Sequence, residues 1–152
     1  MATTVGSNTP KRIHLLGTGR PEEAIASGAI TPGHLIMLDA NSKVKVHNHL
    51  GGTCECAFAL EDALQGKTVD NAYAIADRVF FVLASRGDVV WAYLKAGTAV
   101  PAGGFLISAG DGTLRPDSGS EGGQEQRVAC ALETVDATDS NDQNERIRVR
   151  IL

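Results

Sequence analysis

Apolar residues in this chain recur at every second position over short windows, and glycines or Asp/Asn turns separate the windows. The clearest window is the last, where Arg146, Arg148 and Arg150 alternate with Ile147, Val149 and Ile151, as in a strand with one buried face. Lys43 to His47 (KVKVH) alternates in the same way, and with His34 to Leu38 (HLIML) across Asp39 to Ser42 it predicts a hairpin. Further strands are predicted at Lys11 to Leu16, Cys54 to Leu60 (CECAFAL), Arg78 to Ser85 (RVFFVLAS) and Asp88 to Leu94 (DVVWAYL), the last two joined through Arg86-Gly87. Gly103 to Ser108 and Gly112 to Arg115 predict a tight pair around Ala109 to Gly112, and Gln126 to Val135 and Arg146 to Leu152 close the chain. Only Pro21 to Ala26 (PEEAIA) begins like a helix, with a proline and two glutamates opening the run. The predicted class is all-β: a small β-barrel-like single domain with an extended N-terminal arm and at most one short helix.

The arm is residues 1–10, which lack periodicity, and residues 11–152 form the β domain. Within it, residues 29–44 and 99–114 read as two copies of one unit: an apolar pair, a glycine turn, a Leu-Ile strand start, a polar turn and an apolar return. Such an element uses glycine to reverse the chain and an Asp/Asn/Gly turn to begin the return strand. Asp117 to Gln126 and Asp136 to Glu145 are polar, acidic and nearly free of apolar residues, which makes them surface loops.

Composition narrows the function classes. Hydrophobic residues make up 43% of the 152 residues and charged residues 21%, enough to bury a core without disulfides or metal. Aromatics are only 5% against 17 glycines, so aliphatic side chains must fill that core. A net charge of -4 provides no basic excess for a phosphate backbone, and nucleic acid is set aside as a partner. No apolar run approaches the ~20 residues of a membrane span, and residues 1–10 do not resemble a signal peptide. A membrane is therefore not an expected partner, synthesis in the cytoplasm is expected, and three cysteines do not suggest a disulfide framework.

The sharpest chemical constellation is His47, His49, Cys54 and Cys56 around Leu50 to Thr53. A hairpin turning there would set His49 opposite Cys54 and His47 opposite Cys56, four zinc-compatible ligands on one face. The spacing is not a recognised zinc pattern, and Gly51-Gly52 reads equally well as a plain turn, so the expectation is no metal and no cofactor. Ser85, Ser108 and Cys130 lack a nucleophile-elbow context. Glu22-Glu23 and Glu61-Asp62 are sequence neighbours whose side chains diverge, and Gly103-Gly104 and Gly110-Asp111-Gly112 do not complete a phosphate loop. No catalytic residue is assigned and the chain is not expected to be an enzyme. Trp91 and Tyr93 share a strand face suited either to the core or to a subunit interface.

The run from Cys56 to Phe80, the segment Ala84 to Leu94, Gly104 to Leu114 and Arg127 to Glu133 resemble small capsid decoration, or cement, proteins of tailed bacteriophages. The resemblance extends over roughly Gly28 to Leu152 and contains no catalytic signature. It implies a β-barrel-like domain on the outer face of an icosahedral capsid, binding and bridging the major capsid protein, often as a homotrimer, with the N-terminal arm reaching neighbouring subunits. Its location would be the virion exterior. The alternative of another class is a small β-clip that binds a ligand or metal, or serves as an enzyme accessory, through the His47/His49/Cys54/Cys56 hairpin.

Overall fold

The computed structural model describes residues 3–4, 10–119 and 125–152, with only the backbone at 3–4. Most of the arm, and the centre of the loop from Asp117 to Gln126, lie outside the described residues. The strands are β1 (Thr3–Thr4), β2 (His14–Leu16), β3 (Arg20–Ile25), β4 (Leu35–Leu38), β5 (Val44–Val46), β6 (Ala57–Ala59), β7 (Arg78–Leu83), β8 (Val89–Leu94), β9 (Ala99–Val100), β10 (Phe105–Ser108), β11 (Leu114–Pro116), β12 (Arg127–Ala131), β13 (Val135–Asp136) and β14 (Glu145–Ile151). Helical structure among these residues is one 3-10 turn at Ala63–Gln65, capped by the Asp62 side chain. The class is all-β, as the alternation predicts.

Five strands close into a barrel. Antiparallel pairing runs β11-β10-β12-β14-β8, and a parallel bridge between Leu114 and Leu94 returns β11 to β8. The strong period-2 signal of β14 has its cause here. Ile147 and Val149 lie opposite Ala92 and Val90, and these four share one buried cluster with Leu94, Leu106, Leu114, Ala129, Ala131 and Ile151. The alternate residues face outward, where the Arg146 and Arg148 guanidinium groups lie over the rings of Tyr93 and Trp91, their cross-strand partners.

A second sheet, β3-β7-β6-β4-β5, packs against the barrel. Leu35, Phe58 and Val82 form a cross-strand row and belong to the same apolar cluster as the barrel interior and Trp91. Trp91 is therefore a core residue between the two sheets. The opposite face of the second sheet buries Ile36, Ala57, Ala59, Val79 and Phe81 beneath Ile30 and Tyr73. Gly33 lies against β8 and β14: its φ is +101°, and a Cβ there would meet the Trp91 carbonyl oxygen and Arg146 Nε at 3.3 Å. A third, short sheet, β1-β13-β9, lies at Val135–Asp136.

Two expectations change. Pro21 to Ala26 is not a helix; Arg20–Ile25 pairs antiparallel with β7 along all six residues, from Arg20 opposite Leu83 to Ile25 opposite Arg78. Pairing to β7 outweighs the local helix-start signal, and the edge position tolerates the missing Pro21 N–H. The strand expected from Cys54 contracts to Ala57–Ala59, since positive φ at Cys56 breaks the extended run. Arg86-Gly87 joins two sheets: β7 pairs with β3 and β6, whereas β8 belongs to the barrel.

The two hairpins expected at His34–His47 and Gly103–Arg115 are formed by β4-β5 and β10-β11. They also touch. Leu35 N–H donates to the Gly112 carbonyl at 2.8 Å, and Gly112 N–H donates to the His47 carbonyl at 3.1 Å.

Candidate functional site

The His/Cys segment occupies the connection from β5 to β6, but those strands are not neighbours, because β4 lies between them. The expected facing of His49 with Cys54 and His47 with Cys56 therefore does not form. His47 instead extends the hairpin, its N–H donating to the Leu35 carbonyl at 2.9 Å. Its side chain is fully buried. Nε2 lies 3.0 Å from the Thr53 carbonyl oxygen and Nδ1 lies 2.6 Å from Ser108 Oγ. A carbonyl only accepts, so Nε2 holds the proton and Nδ1 receives the Ser108 hydroxyl. Both ring nitrogens are used. His49 is exposed, with its ring edge-on to His47 at 5.9 Å. Among the described residues, no group of three or more His, Cys, Asp or Glu side chains is placed to hold a metal ion.

Cys54 and Cys56 do come together, with their sulfurs 3.9 Å apart. In a left-handed conformation with φ of +54°, Cys56 has its Cβ turned relative to the preceding peptide, at a cost of roughly 1–2 kcal/mol for a non-glycine residue. Either sulfur can donate in this contact; with Cys56 as the donor, the bond lowers the Cys54 thiol pKa to about 7, against burial, which raises it. The same bond, with burial, pushes Cys56 upward. Gln126 holds the Cys54 backbone from the barrel side: Cys54 N–H donates to its Oε1 at 2.8 Å, and its Nε2 donates to the Cys54 carbonyl at 3.4 Å. Met37, Leu38, Thr53, Cys54 and Glu55 line a solvent-open cavity of about 360 Å³ beside this pair.

The most connected polar groups went unnoticed in the sequence. Asp88, 2% exposed, accepts at Oδ1 from Thr18 N–H and at Oδ2 from Gly19 N–H, Ser85 N–H and His14 Nε2, all within 2.9–3.1 Å. Gly17 makes room for it, since a Cβ there would stand 1.8 Å from Oδ1. Glu133 accepts from the Arg148 N–H through Oε1 and from its guanidinium through Oε2. Arg146 donates to the Pro32 and Val69 carbonyls and to Asp70, tying β14 to the segments that flank β4 and precede β7. An interior acidic or basic group linked in this way maintains the fold. Apart from Ser85, the partners of Asp88 and Arg146 lie 69 to 114 residues away, so no local motif announces them.

His34 combines a structural hydrogen bond with a titration. Its Nδ1 accepts the Thr31 N–H at 3.1 Å. Burial lowers its pKa below 6.5, with Arg146 adding to the lowering and Asp111 opposing it. The unfolded chain therefore binds this proton more readily. The stability is intact above about pH 6.5 and is lost as the pH falls towards the folded-state value. We expect urea unfolding between about pH 7 and 5 to show a steeper loss in the wild type than in His34→Gln; equal slopes would refute it.

The sheet edges carry features that discourage strand addition. On β3, Pro21 lacks an N–H and Glu22 and Glu23 pair with Arg20 and Arg78. On the β5 side, Ser27 N–H already bonds to the Val44 carbonyl. The larger exposed apolar side chains, such as Leu16, Leu50, Leu64 and Ile75, lie in or beside the loops. Among the described residues no helix is long and apolar enough to cross a membrane.

No protein-family model matches the chain, and no curated protein matches it. Among solved structures, the fold is similar to that of the N base of head fiber gp8.5 in bacteriophage phi29, at a TM-score of 0.55 and 12% identity, over 89% of this chain and 95% of that one. At that identity the likeness is one of fold.

Proposed function

We propose that the chain is a structural protein of a phage virion that binds the outer surface of the capsid and stabilises it by bridging major capsid protein subunits, assembled as a homotrimer. The observation that carries this reading is the likeness, along nearly the whole length of both chains, to the base of a phage head fiber. A base module and a decoration protein share one physical task, which is to hold a surface through several contacts without chemistry. The structure suits that task. Its interior polar groups His47, Asp88 and Glu133 are hydrogen-bonded within the fold. A closed barrel and protected edges leave loops and termini as the surfaces offered to neighbours.

Trimeric attachment would multiply weak contacts, because each further contact of a tethered copy is intramolecular. The N-terminal arm contributes one such contact in this account. Deleting residues 2–10 should lower capsid occupancy by about tenfold or more at limiting protein, measured by co-sedimentation with capsids and densitometry. Unchanged occupancy and unchanged capsid stability would remove the arm from the account. Native mass spectrometry should find three copies of the 15.9 kDa chain; a monomer at micromolar concentration would contradict the trimer.

A further inference from the structure

We propose that Cys54 and Cys56 form a thiol–disulfide modification site, with Cys54 as the attacking sulfur, Cys56 as the resolving sulfur and a low-molecular-weight disulfide as the reactant. The sulfurs are already in contact at 3.9 Å, and closure to a bond of about 2.05 Å is a side-chain movement of roughly 2 Å. The positive φ of Cys56 supports this contact. The two cysteines are differentiated by position. Cys54 lines the open cavity with Met37, Leu38, Thr53 and Glu55, whereas Cys56 is not among its lining residues. A small disulfide entering the cavity therefore meets Cys54 first. With Cys56 as the donor in this contact, thiolate at Cys54 is favoured near neutral pH.

In the first step the Cys54 thiolate attacks one sulfur of the incoming disulfide R–S–S–R. A protein–S–S–R bond forms, the S–S bond of R–S–S–R breaks, and RS⁻ leaves with the electron pair and is protonated. In the second step Cys56 loses its proton to solvent and attacks the Cys54 sulfur, releasing the second RS⁻. The sum is protein dithiol plus R–S–S–R to protein disulfide plus two RSH, so the protein is oxidised by two electrons and the small disulfide is reduced by two. Closure acts on a segment anchored on both sides, through Gln126 to the barrel and through the Ala84 N–H bond to the Cys56 carbonyl to the second sheet. It therefore cross-links the connection at the junction of the two sheets.

Cys130 is the internal control. It lies on β12 opposite Arg150, away from that segment in the chain, and its sulfur donates to the Ala131 carbonyl. The full chain, incubated with oxidised glutathione at neutral pH, quenched in acid and mapped by mass spectrometry, should lose two hydrogen atoms in mass and show a Cys54–Cys56 link, with Cys130 still open to alkylation. Cys130→Ser should behave as the wild type, and Cys56→Ser should stop at a stable glutathione adduct on Cys54. The rate of Cys54 reaction should rise with a midpoint near pH 7. A wild-type protein that stays fully reduced, stops at a mixed disulfide or forms its first adduct at Cys130 would overturn the proposal, and the wild-type map alone decides it if Cys56→Ser does not fold. The proposal does not depend on the virion role.

Discussion

Replacing Asp88 with alanine is expected to destabilise the protein by about 4 kcal/mol, the sum of roughly 1–3 kcal/mol for each donor left buried without a partner. Three of those donors are the backbone N–H groups of Thr18, Gly19 and Ser85. Each belongs to a turn, and the Asp88 carboxylate organises those turns around the start of β8. Asp88→Asn separates shape from acceptor chemistry. Its one remaining oxygen can take the Oδ2 position and keep the Gly19, Ser85 and His14 bonds, but its NH2 then faces the Thr18 N–H. The expected order of stability is wild type, Asp88→Asn, Asp88→Ala, with the alanine variant melting roughly 8–16 °C lower. Thermal unfolding followed by circular dichroism reads this directly. An alanine variant within about 1 kcal/mol of wild type would show that these turns do not depend on the carboxylate.

The second large effect concerns the packing of the sheets on each other. Phe58 is fully buried and occupies the middle of the Leu35, Phe58, Val82 row that faces the barrel. Phe58→Ala should cost about 3–5 kcal/mol through lost burial and a cavity that rigid β strands cannot close. Phe58→Leu should cost markedly less. Urea denaturation measures both. Equal costs for the alanine and leucine variants would mean that the row does not pack tightly against the barrel.

These two residues differ in how far the sequence reveals them. Phe58 lies in a short apolar window that reads as a strand, although its partners come from sheet order. Alternation reveals β14, because Ile147, Val149 and Ile151 face one interior, and the β4-β5 and β10-β11 hairpins are legible because their turns are short and local. Pairing between distant segments is not legible. The edge strand β3 begins with a proline and two glutamates, and only its six-residue register with β7 makes it a strand.

The same limit applies to the candidate site. Cys54 and Cys56 meet through the left-handed backbone of Cys56, outside any strand, and the wider His/Cys constellation required β5 to pair with β6, whereas the insertion of β4 depends on contacts from elsewhere in the chain. His47 is consequently a buried, doubly bonded residue. Asp88 looks like a turn aspartate until Thr18 and Gly19, about seventy positions earlier, are brought to it.

The central claim, attachment to the outside of a phage head, is tested most directly on particles. Virions from a phage lysate in which the chain is made are banded on a density gradient and labelled with gold-conjugated antibody against the purified protein. The chain is expected to band with intact particles in many copies, with gold decorating their heads. Protein that remains at the top of the gradient, with unlabelled heads in the particle band, would contradict it.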